Sequence, residues 1–539
     1  MQDAEVGRSR QSVDAVHKLE HMTMPSPGKR VMALFRMRSH HTSEGHTFDE
    51  EASLRYFPVE AAMQRYRWPK VGWSVRWLPA VVVEVKGAQV CVHWDHPHWI
   101  DWADGERVAA PKTWVSTQML QDLASDGEST STLGGWEPML SIVEVRWGDL
   151  RRPVEYHPDS WASFGSTISP PFIASMHETL FRCAGQAYEV LSVFVSRSSD
   201  LTDVSEVFIR TQLCGRHIAA LVFLWASNPG DVEVGYLDCA VLYGFMRRLE
   251  SVGMPIRWPH ASHMSELLAS KSWLPSRSRD LNCKVPATTR VCRSAVVRDS
   301  LLAAQNVLRQ LAPLAKEQGL ATATGEKAVC VTKLGYTYEA RCVVECIGAA
   351  ELSNALTNLA DQYPYHDSIM VQARVPNFAV ELRVGVVHGE VMNITYTRMA
   401  TVSEQGYFTE FLQLPREKAL AEWLSGDEEA LASAEAQAGV LSRLWWSWLK
   451  MESSETLVSV RLDFLVCHID VGLSEVWTCE VGEQGYSPVG WEGFPGVVFP
   501  HIFASCLEDI NCDCPDCGCG QAMEAISRRL QRDGLPTRT

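Results

Sequence analysis

The sequence predicts an α+β protein in which mixed α/β layers follow a small all-β barrel. Three observations predict it. Residues 65–112 are Trp-rich and strand-forming, and Lys86-Gly87 joins two short β runs in PAVVVEVKGAQVCVHW, a hairpin signal. From about residue 140, apolar strand runs alternate with helical runs, the pattern of layered α/β or α+β architecture. Between 327 and 482, paired strands joined by turns recur at 327–345, 368–395 and 460–482.

The elements follow in order. Residues 1–50 are polar and rich in His, Ser and Met, and the reading for 1–64 is a largely disordered N-terminal region. The stretch 65–112 suits a small barrel and loosely resembles a Tudor or SH3-like barrel. Its Trp73, Trp77, Trp94, Trp99 and Trp102 either form an aromatic cage for a methylated side chain or pack as core and rim. ASDGESTSTLGG lies in a linker spanning 113–138. AALVFLWAS at 219–227 is a buried strand, and AVLYGFMRRLESVGM at 240–254 is a helix closing at Gly253, both within an α/β domain over 139–260. The segment 416–450 predicts two helices broken near Gly426-Asp427.

Bulk properties bound the function. The net charge of −16 over 539 residues speaks against nucleic acid, whose binders usually carry a basic surplus. It leaves room for a locally basic pocket and a small anionic ligand. No apolar run reaches the roughly 18 residues of a membrane span, so no membrane is expected. The N-terminus has no apolar signal core. Most of the 16 cysteines stand singly in apolar segments, among them Cys91, Cys183, Cys214, Cys239, Cys330 and Cys467. That usage suits a reducing compartment, and the expectation is a cytoplasmic protein with a nuclear location as the alternative. The segment NCDCPDCGCG sets Cys512, Cys514, Cys517 and Cys519 within eight residues. Four thiolates suit Zn²⁺, but structural zinc sites usually draw two pairs from separate knuckles, so a zinc site and a plain loop both stand.

The chemistry concentrates in the later hairpins. VRLDFLVCHIDVGLSEVWTCEVGEQG places Asp463 and Glu480 on two neighbouring apolar strands. Two carboxylates so placed either ligate Mg²⁺, which takes oxygen donors, or are ordinary strand acids. Glu381 and Arg383 share one face of VELRVGVV, as site residues or as an ion pair. Lys333 ends the strand KAVCVTK beside a loop, where a compact charge can reach a phosphate. Lys271 sits in a helical stretch. Arg461 serves either a phosphate or a neighbouring acid.

Taken in order, VGMPIRWPHASHMSELLASKSWL, VPATTRV, CVTK, IMVQARVPNFAVELRVGVVHGE and RLDFLVCHIDVGLSEVWTCEVG resemble the ATP-grasp superfamily over about residues 250–500. The resemblance implies an ATP-grasp-like mixed α/β fold, with an ATP-grasp domain at 261–505 and a Cys-rich tail with a short helix at 506–539. It implies ATP and Mg²⁺ as cofactors. Lys271, Lys333, Gln372 and Glu381 would bind the nucleotide, Asp463, Glu480 and Glu483 the metal, and Arg383 and Arg461 would be catalytic. The implied chemistry is activation of a small-molecule or peptide carboxylate as an acyl phosphate, then attack by an amine or similar nucleophile. Two departures stand out. The second acid is followed by Val481-Gly482 where the superfamily has x-Asn, so Glu483 either replaces that ligand or the ligand is lost. The loop KLGYTYEAR offers only Gly335 for close approach to phosphate. They support the alternative of a non-catalytic scaffold, a Tudor-like module for a protein partner joined to a degenerate nucleotide-binding domain.

Overall fold

The computed structural model describes residues 26–36, 56–58, 71–87, 89–94, 99–101, 107–108, 112–116, 120–122, 140–147, 188–195, 197–213, 217–226, 237–320, 327–337, 342–364, 366–402, 408–453, 455–482 and 494–508. The chain divides into two compact units, one built mainly from segments before Leu133 and the other from Leu133–Thr539.

In the first unit β1 (Arg30–Arg36), β2 (Val71–Lys86), β3 (Gln89–Trp94), β4 (Lys112–Ser116) and β5 (Leu120–Asp122) hydrogen-bond in the order β5-β1-β2-β3-β4. The predicted hairpin is β2–β3, turning at Gly87 with φ +57°. The strand set reaches well outside 65–112. RVMALFR, inside the segment read as disordered, is a strand paired with β5. No ladder joins β4 to β5 among the described residues, so closure into a barrel is not seen there. Val31, Ala33, Ala80, Val82, Val90, Val92, Trp94, Val115 and Leu120 make the core. Trp94 is therefore packing rather than cage. The side chains of Trp73, Trp77 and Trp99, and all of Trp102, lie outside the described residues.

The second unit begins with a parallel sheet. β6 (Leu140–Trp147), β7 (Tyr188–Val195), β8 (His217–Phe223) and β9 (Ile256–Trp258) run in the order β9-β8-β6-β7. Their near-continuous apolar runs reflect burial on both faces. Helix α1 (Cys239–Ser251), capped by Asp238 accepting from Val241 N, packs into their core.

Two antiparallel sheets follow. After α2 (Ser262–Ser270), strands β10 (Thr288–Cys292), β11 (Val329–Lys333), β12 (Val344–Ile347) and β13 (Ser368–Ala373) form a sheet of order β10-β13-β11-β12. One face buries Cys330, Ile369, Val371 and Ala373 under α3 (Ser300–Glu317) and α4 (Gly348–Gln362). The second sheet has β14 (Phe378–Val387), β15 (Glu390–Val402), β16 (Phe408–Leu414), β17 (Ser459–Asp470) and β18 (Leu473–Gly482), in the order β16-β15-β14-β17-β18. Its apolar face packs on α5 (Glu428–Glu452). The helical break falls at Gly426-Asp427 as predicted, because Gly426 adopts φ +80° and Asp427 caps α5 by accepting from Ala430 N.

Helix α6 (Phe494–Glu508) folds back onto the parallel sheet, with Phe499 near Phe223 and Trp258 at ring distances of 6.5 and 5.4 Å. The boundary expected at 505 therefore cuts a helix that belongs with the strands of 139–260. No described helix is long and apolar enough to cross a membrane.

Candidate functional site

Alternation on one strand builds the site. On β14, Val380, Leu382, Val384 and Val386 point into the core beneath α5, so Glu381 and Arg383 stand on the opposite face. The same alternation on β17 buries Val460, Leu462, Phe464 and Val466 and turns Arg461 and Asp463 the other way. The ladders set Asp463 directly opposite Arg383 on one side and Glu480 on the other. One face of this sheet is thus a charged patch whose members are largely buried: Glu381 is 3% exposed, Arg461 6% and Asp463 1%.

Each buried charge has a partner, as burial requires. Arg461 donates from Nε and Nη2 to the two Asp463 oxygens at 3.0 and 2.9 Å. Glu381 Oε2 accepts from Thr397 Oγ1 at 2.8 Å and from Arg383 Nε at 3.4 Å. Burial pushes the Asp463 carboxyl up to about 6, against the pull of Arg461 and Arg383. For Glu480 burial acts in the same direction, but Lys271, Arg461 and Lys333 outweigh it and hold the carboxyl below its ordinary value.

The lysines arrive from separate elements. Lys271 is the C-cap of α2 in the left-handed region, φ 56°. That turn carries its Nζ to Thr337 O at 2.8 Å and Glu480 Oε1 at 3.2 Å. Lys333, at the end of β11, donates to Cys479 O at 3.4 Å. The structure therefore gathers Lys271, Lys333, Arg383, Arg461, Glu381, Asp463 and Glu480 around adjacent strand positions. Four cations face three carboxylates, a balance suited to an anionic ligand.

Gln372 is buried in the four-stranded sheet, on the face that carries Lys333. Its Nε2 donates to Thr288 Oγ1 at 2.9 Å and Pro286 O at 3.5 Å, so the amide expected near a nucleotide is held within the sheet. Glu483, Cys512, Cys514, Cys517 and Cys519 lie outside the described residues.

The donor set can be tested against Mg²⁺. Both Asp463 oxygens accept from Arg461, Glu480 Oε1 faces Lys271, and Gly482 offers no side-chain donor. Among the described residues no cluster of three or more His, Cys, Asp or Glu side chains could hold a metal. In this arrangement the described residues do not fit a divalent ion.

Two antiparallel sheets, each with helices on one face, and the end of α2 thus bring the two lysines and the paired acids together. This arrangement agrees with the ATP-grasp-like fold that the sequence resemblance implies. No family model matches the sequence, and no curated protein matches it. Solved structures do. D-cycloserine synthetase is similar at 15% identity and TM-score 0.42, over 68% of this chain and 99% of that one. The VanG D-Ala:D-Ser ligase from Enterococcus faecalis is similar at 12% identity and TM-score 0.41, over 69% and 99%. D-alanine–D-alanine ligase from Bacillus anthracis complexed with ATP is similar at 13% identity and TM-score 0.38, over 74% and 100%.

Three features escape a reading of the sequence. Thr397 lies opposite Glu381 in the ladder, and only the alternation in ITYT hints at its facing. Gly335 reads as the loop's one glycine for close approach to phosphate, and Gly482 as a missing ligand. In the structure each makes room for a neighbour: a Cβ on Gly335 would overlap Ser270 O, and one on Gly482 would crowd the Arg461 guanidinium.

Proposed function

We propose that the second unit binds ATP at the charged face between its antiparallel sheets and uses it to ligate a small-molecule carboxylate to an amine. The observation that carries this is the convergence of Lys271 and Lys333 on the end of β18, beside Arg383 and Arg461. Lys271 and Lys333 act as point charges on phosphate oxygens, and the guanidinium forks of Arg383 and Arg461 suit a transferring phosphoryl group or a carboxylate. Glu381, fixed by Thr397, positions Arg383. In this reaction a substrate carboxylate oxygen attacks the γ-phosphorus and ADP leaves. The amine then attacks the acyl carbon and phosphate leaves. Holding the reactants in line is the protein's main contribution. Asp463, Glu480 and Glu483 are the acids that the resemblance assigns to Mg²⁺.

A second reading has its own support. Gly335 is committed to packing against Ser270, so it does not serve as a flexible cradle for phosphate. That favours a nucleotide-binding scaffold without turnover.

Titrating ATP while recording thermal unfolding tests binding, since a ligand at 100 times its Kd adds about 2.7 kcal/mol. Lys271→Ala and Lys333→Ala should each abolish most of that gain. Phosphate release in the presence of amino-acid carboxylates separates the ligase from the scaffold. A flat unfolding midpoint over all ATP concentrations would overturn both readings.

A further inference from the structure

Arg461 stands where a metal ligand is expected. It is 6% exposed, and its fork takes both Asp463 oxygens at 3.0 and 2.9 Å. Across the ladder it is paired with Gly482. A Cβ there would lie 3.1 Å from Nη2 and 3.4 Å from Cζ and Nε. Gly482 has no positive φ, so backbone conformation does not call for glycine at this position. Space for the guanidinium does.

We propose that Arg461 is the resident cation of the site: it fills the space over Gly482, neutralises Asp463, and lets the phosphates of a nucleoside triphosphate bind without a divalent ion ligated by Asp463. The inference rests on the reading of the second unit as a nucleotide site. The bidentate arginine takes a lone pair on each Asp463 oxygen and cancels the carboxylate's charge, so Asp463 attracts a divalent cation less. Separating the pair would leave two buried charges uncompensated, which is strongly unfavourable. The guanidinium does not deprotonate in proteins, so this cation is present whatever the pH or the magnesium concentration. A magnesium ion, by contrast, must be recruited at each binding event. Lys271 adds to the arrangement by holding Glu480, the other acid of the pair, at 3.2 Å.

Calorimetric titration of the full chain with ATP, in excess magnesium and in excess EDTA, tests this. The wild type should bind with affinities that agree within about threefold in the two buffers. Arg461→Gln should weaken EDTA-buffered binding by about tenfold or more, since removing one member of a buried charge pair exposes the other. Gly482→Asn guards against a Gln variant that does not fold. It pushes the guanidinium aside and supplies a donor, so binding should become magnesium-dependent. Wild-type binding seen only with magnesium would overturn the resident cation while leaving the nucleotide site intact. Equal EDTA affinity for the wild type and folded Arg461→Gln would overturn it too. Absence of binding in both buffers would overturn the nucleotide site and this inference with it.

Discussion

Gly335 lies against the end of α2 so closely that a Cβ on it would overlap the Ser270 carbonyl oxygen and stand 3.0 Å from the carbonyl carbon. Tyr336 N donates to Ala269 O at 2.7 Å in the same contact, and Lys271 reaches Thr337 O. The loop after β11 and the helix that ends at Lys271 are therefore one rigid corner. Gly335→Ala sets carbon against backbone, which cannot rotate away. Overpacking of this kind costs about 1–3 kcal/mol. The midpoint of chemical unfolding should drop accordingly, and ATP affinity should fall because Lys271 moves. Gly244→Ala is the control. It lies inside α1, where nothing stands within 4 Å of an added Cβ, so it should stabilise by about 0.5–1 kcal/mol. Unchanged stability of Gly335→Ala would refute the rigid corner.

Lys271 and Glu480 should be energetically coupled. Their side chains are 10% and 33% exposed, so solvent screens the pair only in part. A double-mutant cycle with Lys271→Met and Glu480→Gln should return a coupling of about 1 kcal/mol in unfolding free energy. Lys271→Arg should not restore it, since a planar fork cannot reproduce a compact ammonium that meets both Thr337 O and Glu480. Additive single effects would mean that the two side chains are neighbours without interaction.

The sheet that carries the acids was legible because alternation along one strand is a local property. Val380, Leu382, Val384 and Val386 read as one face, which leaves Glu381 and Arg383 on the other. The end of one helix before Asp427 was legible for the same reason, through Gly426. What depends on distant chain was not. Nothing in ASKSW tells that Lys271 takes a left-handed conformation and meets Thr337. The burial of Gln372 on Thr288 depends on which strand lies beside β13. Strand β1 was hidden because seven residues with an arginine at each end sit in a polar stretch, and both strands it pairs with lie beyond residue 70. Gly482 is the plainest case. Sequence shows a ligand absent, and only coordinates show the guanidinium that uses the space.

Trp445 should be a main support of the five-stranded sheet. It is fully buried, with ring distances of 5.2 Å to Trp273 and 5.3 Å to Trp448. Its Nε1 donates to Thr478 Oγ1 at 3.0 Å, and that hydroxyl donates to Cys283 O at 2.7 Å. Trp445→Ala should cost about 3–5 kcal/mol in denaturant unfolding. Trp445→Phe should cost less, because Thr478 keeps its bond to Cys283 and only the indole bond and some volume are lost. Equal losses for Ala and Phe would place the stabilisation in the hydrogen bond and not in the packing.

His260 should make stability fall in mild acid. The residue is buried beside β9, and its Nε2 has no hydrogen-bond partner among the described residues. Desolvation lowers its pKa from 6.5 to about 3, so the imidazole stays neutral in the folded chain at neutral pH. Below pH 6.5 the unfolded chain binds a proton that the folded chain does not, and the difference favours unfolding. The contribution to stability is thus present in full above pH 6.5 and is lost as pH falls from there toward 3. At pH 5 the gap between 6.5 and 5 corresponds to about 2 kcal/mol. His501, lowered to about 4 by burial and by the neighbouring His388, acts in the same direction over a similar range. The wild type should therefore lose more unfolding free energy than His260→Leu between pH 7.5 and pH 5, by about 2 kcal/mol. The measurement is the urea midpoint of both proteins at the two pH values. Parallel losses in the two proteins would show that folding does not lower the His260 pKa and that His260 is not the source of the acid sensitivity.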